Sequence, residues 1–200
     1  MMDGFLGAII YRKIKMTKKF FIDCGGCTGQ TVSKFKKSEQ YGKDFIIYSF
    51  EPVSSLSKHY KDMNGIFFID KAVWIYDGEI DFYIDKTHSE AQGSTISKNK
   101  TSGKLDKAHP IKVKCIDFSK WLDNLCLKED YVILKMDIEG AEYDILDKMI
   151  CDGTIEKVDD LYVEFHYKKM IMEKSRHDDL ILRLEKCTNL HGAFRSGSGR

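Results

Sequence analysis

Neither sign of charge prevails in this chain: 32 lysines and arginines stand against 31 aspartates and glutamates, for a net charge of +1. That balance removes any general attraction to nucleic acid or to an anionic membrane, so such binding would have to be local. Long apolar runs are lacking as well. FLGAII at 5–10 is too short to span a bilayer, and Asp3 precedes it where a signal peptide would carry positive charge. A soluble, cytoplasmic protein is therefore expected, with its six cysteines (24, 27, 115, 126, 151 and 187) reduced. Also missing is a second Cys-x-x-Cys or a spaced histidine pair to complete a structural zinc site around Cys24 and Cys27.

What is present is enough apolar material, 42% of 200 residues, for one good core. KKFFID at 18–23 reads as a strand followed by a glycine turn, and Val32 and Phe35 make a thin helical stripe that stops near Gly42. DFIIYSFEP at 44–52 repeats the theme, and SSLSKHYKDM then predicts a serine-capped helix carrying Leu56, Tyr60 and Met63. GIFFIDKAVW at 65–74 is a third apolar run. EIDFYI and IKVKCIDF alternate with period two and predict an antiparallel appendage. Between them, 91–110 is polar and reads as a mobile loop, either a lid or a plain solvated segment. Its few aromatics and the neutral charge speak against RNA.

The remaining chain continues the alternation. DFSKWLDNLCL carries Phe118, Trp121, Leu122 and Leu125 at helical spacing, YVILKMDIEGAEYDILDKMI gives strand, acidic turn and helix, and DDLYVEFH at 159–166 is another strand. A helix over 168–187 should turn Leu180, Ile181 and Leu184 inward, and GAFRSGSGR looks like a disordered end. Alternating strands and helices predict an α/β fold with a mainly parallel sheet covered by helices on both faces. Ligands in such sheets gather beyond the carboxyl ends of strands. The residues to watch are Asp23, Glu51, Asp70, Asp137, Glu164 and His166.

FIDCGGCTGQ at 21–30 admits three chemistries. A P-loop would need lysine before Thr31, where Gln30 stands, and a dinucleotide fingerprint would need glycine where Cys24 stands. A thiol-disulfide pair at Cys24 and Cys27 remains an alternative, since a helix start lowers a thiol pKa. It leaves Glu51, Asp137 and Glu139 unexplained. The third reading takes Gly25, Gly26 and Gly29 as a turn that lets a ligand approach backbone N–H groups, with Glu51 accepting from ribose hydroxyls. Asp23 adds a second negative charge, which suits a cation and disfavours pyrophosphate. S-adenosylmethionine has that balance.

The run of motifs resembles the FkbM family of S-adenosylmethionine-dependent methyltransferases. FIDCGGCTGQT is similar to its first motif at Asp23, Gly25 and Gly29, with Gly26 and Cys27 where the family has Ala-Asn. YSFEP, KAVW with DGEIDFY, LKMDIEGAEYDIL and YVEFH follow in the family's order, from about residue 19 to 167. The resemblance implies a Rossmann-like class I methyltransferase sandwich over 19–190, with 1–18 an N-terminal extension, 191–200 a tail, and the final strands missing or short. It implies that Asp23 and the loop 25–29 hold the methionine part, that Glu51 binds the ribose, that Pro52 after it belongs to the cofactor site, and that Asp70 to Ala72 line the adenine pocket.

It also implies a hydroxyl acceptor on a sugar, glycan or related natural product. Methylating an alcohol requires removal of a poorly acidic proton, for which His166 is the natural base, oriented by Glu164, with Asp137 binding the acceptor or the cofactor amine. No metal is assigned; a divalent ion enters only if Asp137, Glu139 and Glu164 converge. A cofactor-binding module without turnover stays open as a further alternative, as does the oligomeric state.

Overall fold

The computed structural model describes residues 17–38, 43–87 and 90–194. Most of the expected N-terminal extension, 1–16, and the last part of the expected tail, 195–200, lie outside the described residues.

Strands β1 (Lys19–Cys24), β2 (Phe45–Phe50) and β3 (Ile66–Ile69) lie on one side of the main sheet, and β7 (Tyr131–Met136), β8 (Asp160–Val163) and β9 (Asn189–His191) on the other. The order is β3-β2-β1-β7-β8-β9, parallel throughout. β9 has three residues, so the final strand is short as expected, and no further strand pairs with this sheet among the described residues.

Successive side chains of a strand face opposite sides of the sheet, and the apolar runs fill both layers. Phe21, Ile47 and Ile133 pack against Val32 and Phe35 of α1 (Gln30–Lys37). Phe20, Ile22, Val132, Leu134 and Leu161 pack on the other face. There they meet Leu122 of α2 (Phe118–Leu125), Leu146 of α3 (Glu142–Cys151), and Leu180 and Leu184 of α4 (Lys174–Leu184). Each such fully buried side chain contributes about 1.5–3 kcal/mol by leaving water, which is why strands this apolar take the central positions.

Several sequence expectations are corrected. The apolar run GIFFIDKAVW is divided between two sheets: its first strand ends before Asp70, where Lys71 N–H donates to Ile69 O (2.9 Å) and the chain leaves the main sheet. Residues Ala72–Trp74 become β4 of a second, three-stranded sheet, β4-β6-β5, with β5 at Gly78–Phe82 and β6 at Ile111–Asp117. β5 and β6 pair antiparallel as expected, and β4 adds itself parallel to β6. SSLSKHY forms a 3-10 turn, Ser54–Tyr60, preceded by Val53 with no side-chain cap. Leu56 and Tyr60 are still its buried residues.

The helix expected over 168–187 splits into a 3-10 turn at Tyr167–Lys169 and α4, in which Ile181 is only partly buried. Order continues past 190, since Phe194 packs against Phe21 and Tyr162.

Candidate active site

Register decides which residues meet. Cys24 lies beside Phe50 on one side and Met136 on the other, so Gly25, Glu51 and Asp137 leave the sheet in one row, where the chain order reverses. Gly25 N–H and Gly26 N–H donate to Phe50 O (3.1 and 2.9 Å), and Asp137 N–H donates to Cys24 O (3.1 Å). The same register sets Asp23 opposite Lys135.

Lys135 Nζ lies 3.0 Å from Asp23 Oδ1 and 3.7 Å from Asp137 Oδ2, and donates to Gly25 O (3.1 Å). Burial raises the Asp23 carboxyl, and Lys135 draws it part of the way back. Burial disfavours the ammonium of Lys135, but Asp23 and Asp137 more than restore it.

Above this row is a cavity of about 340 Å3. Its floor is Gly25, Gly26, Cys27 and Thr28; Glu51, Pro52, Ala72, Lys135, Asp137 and Glu139 form the walls; Phe82, residues 91–94 and Ile96 also line it. Of the residues expected to bind a cofactor, Gly25, Gly26, Glu51, Pro52, Ala72 and Asp137 line it. Asp23, Gly29 and Asp70 do not. Asp23 is fully buried behind the turn against Lys135, Gly29 opens α1 with φ 74°, and Asp70 is exposed at the bend where the chain leaves the sheet.

Glu51 is held from both sides, with Cys27 N–H donating to Oε2 (3.0 Å) and Val53 N–H to Oε1 (2.9 Å). Each oxygen keeps a free lone pair on the cavity wall. Burial raises its carboxyl, and the Val53 and Cys27 N–H groups oppose that.

The acidic turn after β7 forms a second centre. Glu142 is fully buried and accepts from Ile138 N–H (3.0 Å) and Gly140 N–H (2.9 Å), so one carboxylate clamps the DIEGAE turn. It also bonds His166 Nδ1 (2.9 Å). His166 is therefore oriented by Glu142, not by Glu164, which is half exposed. His166 Nε2 lies 3.7 Å from Asp137, 3.5 Å from Glu139 and 3.7 Å from Glu164. Asp137, Glu139 and His166 offer three ligand atoms within 4.8 Å of one another.

Burial works against the imidazolium, but the bond to Glu142 and the charges of Glu142 and Glu139 raise its pKa overall. His166 is not on the cavity wall; Asp137 and Glu139 stand between.

Residues 91–110 do more than the polar composition indicated. Lys100 is buried, with Nζ 2.8 Å from Glu139 Oε2, and Thr95 Oγ1–H donates to Glu139 O (2.8 Å). Thr101 N–H and Ile171 N–H fasten the segment to the 167–171 stretch (2.7 and 2.9 Å). Burial disfavours the Glu139 carboxylate, yet Lys100, His166 and Lys169 hold its pKa below the usual range. No sequence signal distinguished Lys100 from its neighbouring lysines. Lys135 was legible as a motif residue but carried no assigned role.

A family model described as the methyltransferase FkbM domain matches residues 23–190. The chain belongs to the FkbM family. It is a methyltransferase of α/β Rossmann-like fold, and no curated protein and no solved structure gave a significant match. No helix among the described residues is long and apolar enough to cross a membrane.

One of the two departures from the FkbM turn motif has a local cause. Ser49 Oγ and Tyr60 OH, hydrogen-bonded to each other (3.0 Å), fill the space a Cβ at Gly26 would need. Cys27 has φ 45°, a left-handed conformation that asparagine, usual here in the family, adopts more easily, so the backbone gives no reason for the cysteine.

The thiol-disulfide alternative loses its chemical basis. Cys24 is fully buried and its thiol is raised well above the ordinary value, by burial and then by Asp23; burial and Glu51 raise Cys27 too. Thiolate is the reactive form. Under native conditions at pH 7.5, Cys151, which is exposed, is expected to react first with Ellman's reagent. Cys24 and Cys126, the latter pushed up to about 12 mainly by burial, should react only on unfolding. Labelling of Cys27 should lag and accelerate as pH rises beyond 9. Rapid labelling of Cys27 at neutral pH, with disulfide formation to Cys24, would restore the redox reading.

Proposed function

We propose that this FkbM protein transfers a methyl group from S-adenosylmethionine to a hydroxyl oxygen of a sugar, glycan or related natural product, and that it works in the cytoplasm. The observation that carries the cofactor reading is Glu51. It is a buried carboxylate on the cavity wall, fixed by two backbone N–H groups, with free lone pairs at the distance of one strand from a glycine floor. That is what a ribose diol needs: a rigid acceptor beside backbone that a ligand can approach closely. Acidic walls at Glu51, Asp137 and Glu139 favour a cationic ligand over a pyrophosphate. Gly25 and Gly26, with Lys135 bracing the turn from below, would take the amino-acid part, and Pro52 and Ala72 the base.

When bound, the cofactor supplies an electrophilic methyl on a sulfonium. The chain's own part is to hold the acceptor and receive its proton. Asp137 is the carboxylate on the wall with His166 behind it, so the proton passes to that end of the cavity. Phe82, residues 91–94 and Ile96 line the same cavity, where they would shield a bound acceptor from water.

Calorimetric titration with S-adenosylmethionine and S-adenosylhomocysteine tests the reading. Glu51→Ala removes charged hydrogen-bond acceptors, each contributing about 1.5–3 kcal/mol, so binding should weaken by about 10- to 100-fold or more. Glu51→Gln, checked by melting, separates loss of the acceptor from loss of the two backbone contacts. No binding to folded wild type would sink the cofactor assignment. Tight binding without methyl transfer to any hydroxyl acceptor would favour a module without turnover.

A further inference from the structure

The arrangement around His166 is incomplete without a cation. A carboxylate only accepts, so Nδ1, bonded to Glu142, carries the proton, and this leaves Nε2 facing the other acids. Nε2 is buried and has no hydrogen-bond partner, on a residue 2% exposed. The oxygens of Asp137, Glu139 and Glu164 lie 3.5–3.7 Å from it. Those separations are too long for hydrogen bonds, and they match two ligands that share an ion at about 2.0–2.2 Å from each.

Charge points the same way. Asp137, Glu139, Glu142 and Glu164 are four carboxylates around one imidazole, and the lysines on them, Lys100 and Lys169, are two. Lys135 also reaches Asp137 but is matched by Asp23. The cluster is thus left with an excess of two negative charges around a neutral imidazole, and still of one around an imidazolium.

We propose that Asp137, Glu139 and His166 form a divalent-metal site at the edge of the cavity. Glu142 acts as the outer carboxylate that fixes the imidazole, and Glu164 is within reach as a further ligand. Mixed nitrogen and carboxylate donors select manganese(II) or iron(II) over calcium or magnesium, which prefer oxygen alone. Three protein ligands leave coordination positions open, and Asp137 and Glu139 both line the cavity, so those positions border it. On the methyl-transfer reading, an acceptor hydroxyl bound there would lose its proton more readily. The site itself does not depend on that reading.

The test uses chelator-treated full-length protein without any methyl donor, titrated with manganese(II) and followed by electron paramagnetic resonance of the free ion. One equivalent should bind, and the bound ion should show a nitrogen coupling from His166. Asp137→Asn and His166→Gln should each weaken binding by at least about tenfold, the scale on which even outer partners act. If those variants do not fold, the nitrogen coupling in the wild type still decides. Absence of stoichiometric binding by folded wild type, or retention of full affinity in His166→Gln, would overturn the site and leave His166 as a buried imidazolium. Cofactor binding without manganese binding would sink the metal site alone; manganese binding without cofactor binding would sink only the methyl-transfer reading.

Discussion

Gly25→Ala is expected to lower the melting temperature by roughly 4–20 °C and to weaken cofactor binding at least tenfold at temperatures where the protein stays folded. Two costs add. Gly25 has φ +85°, where any L side chain is strained, at about 1–2 kcal/mol. Its added Cβ would also be driven into the backbone carbonyl of Asp137, which is fixed by its own N–H on Cys24 O and cannot swing aside as a side-chain end would. Overpacking against such a neighbour costs about 1–3 kcal/mol, and in a chain of this length each kcal/mol shifts the melt by about 2–4 °C.

Gly153→Ala is the control. Gly153 has a similar φ, +73°, with nothing within 4 Å of the added Cβ, so it carries the conformational cost alone. Its melt should fall by only about 2–8 °C with cofactor binding unchanged. Equal losses in the two variants would show that the contact with Asp137 yields easily and that the row of strand ends is not rigid.

What was legible in the sequence was whatever the chain encodes locally. Apolar runs such as KFFID and YVILKM separated by helical stripes fixed the layer order, and the ordered motifs located Glu51, Pro52, Ala72 and Asp137 on one cavity. What was not legible depends on register and long-range packing. Asp23 looked like a ligand-facing acid because it ends a strand, but the pairing of β1 with β7 turns it toward Lys135. In GIFFIDKAVW the charged pair Asp70-Lys71 marks a strand end, but nothing local tells that the chain there passes from one sheet to another. His166 was found, but its partner was assigned to the nearer acid in sequence, Glu164, when the clamped turn presents Glu142. Lys100 had no local signature, since a buried lysine is defined by the acid it meets, here Glu139.

The buried pair of Asp23 and Lys135 is where stability and site geometry meet, and Lys135→Met should be costly on both counts. Removing one partner of a buried ion pair costs about 3–5 kcal/mol, because the remaining charge is left without compensation. Asp23 has no other partner positioned to replace the ammonium: apart from Lys135, 3.0 Å from Oδ1, its carboxylate oxygens have no hydrogen-bond partner among the described residues. Gly25 O would lose its donor in the same step, loosening the turn that floors the cavity.

Burial already raises the Asp23 carboxyl, and without Lys135 it rises further. A folded-state pKa above the unfolded value means that the native variant binds the extra proton. Its stability deficit should therefore be largest at neutral and alkaline pH and shrink as pH falls toward 5. Asp23→Leu/Lys135→Met, which removes both charges, should recover most of the loss and lose the pH dependence, as apolar replacements of buried pairs commonly do. Urea unfolding of the single and double variants at pH 5 and pH 8 reads both effects. A deficit under about 1 kcal/mol in Lys135→Met, or one that grows as pH falls, would mean that Asp23 finds its counter-charge elsewhere and that Lys135 is not what holds the turn.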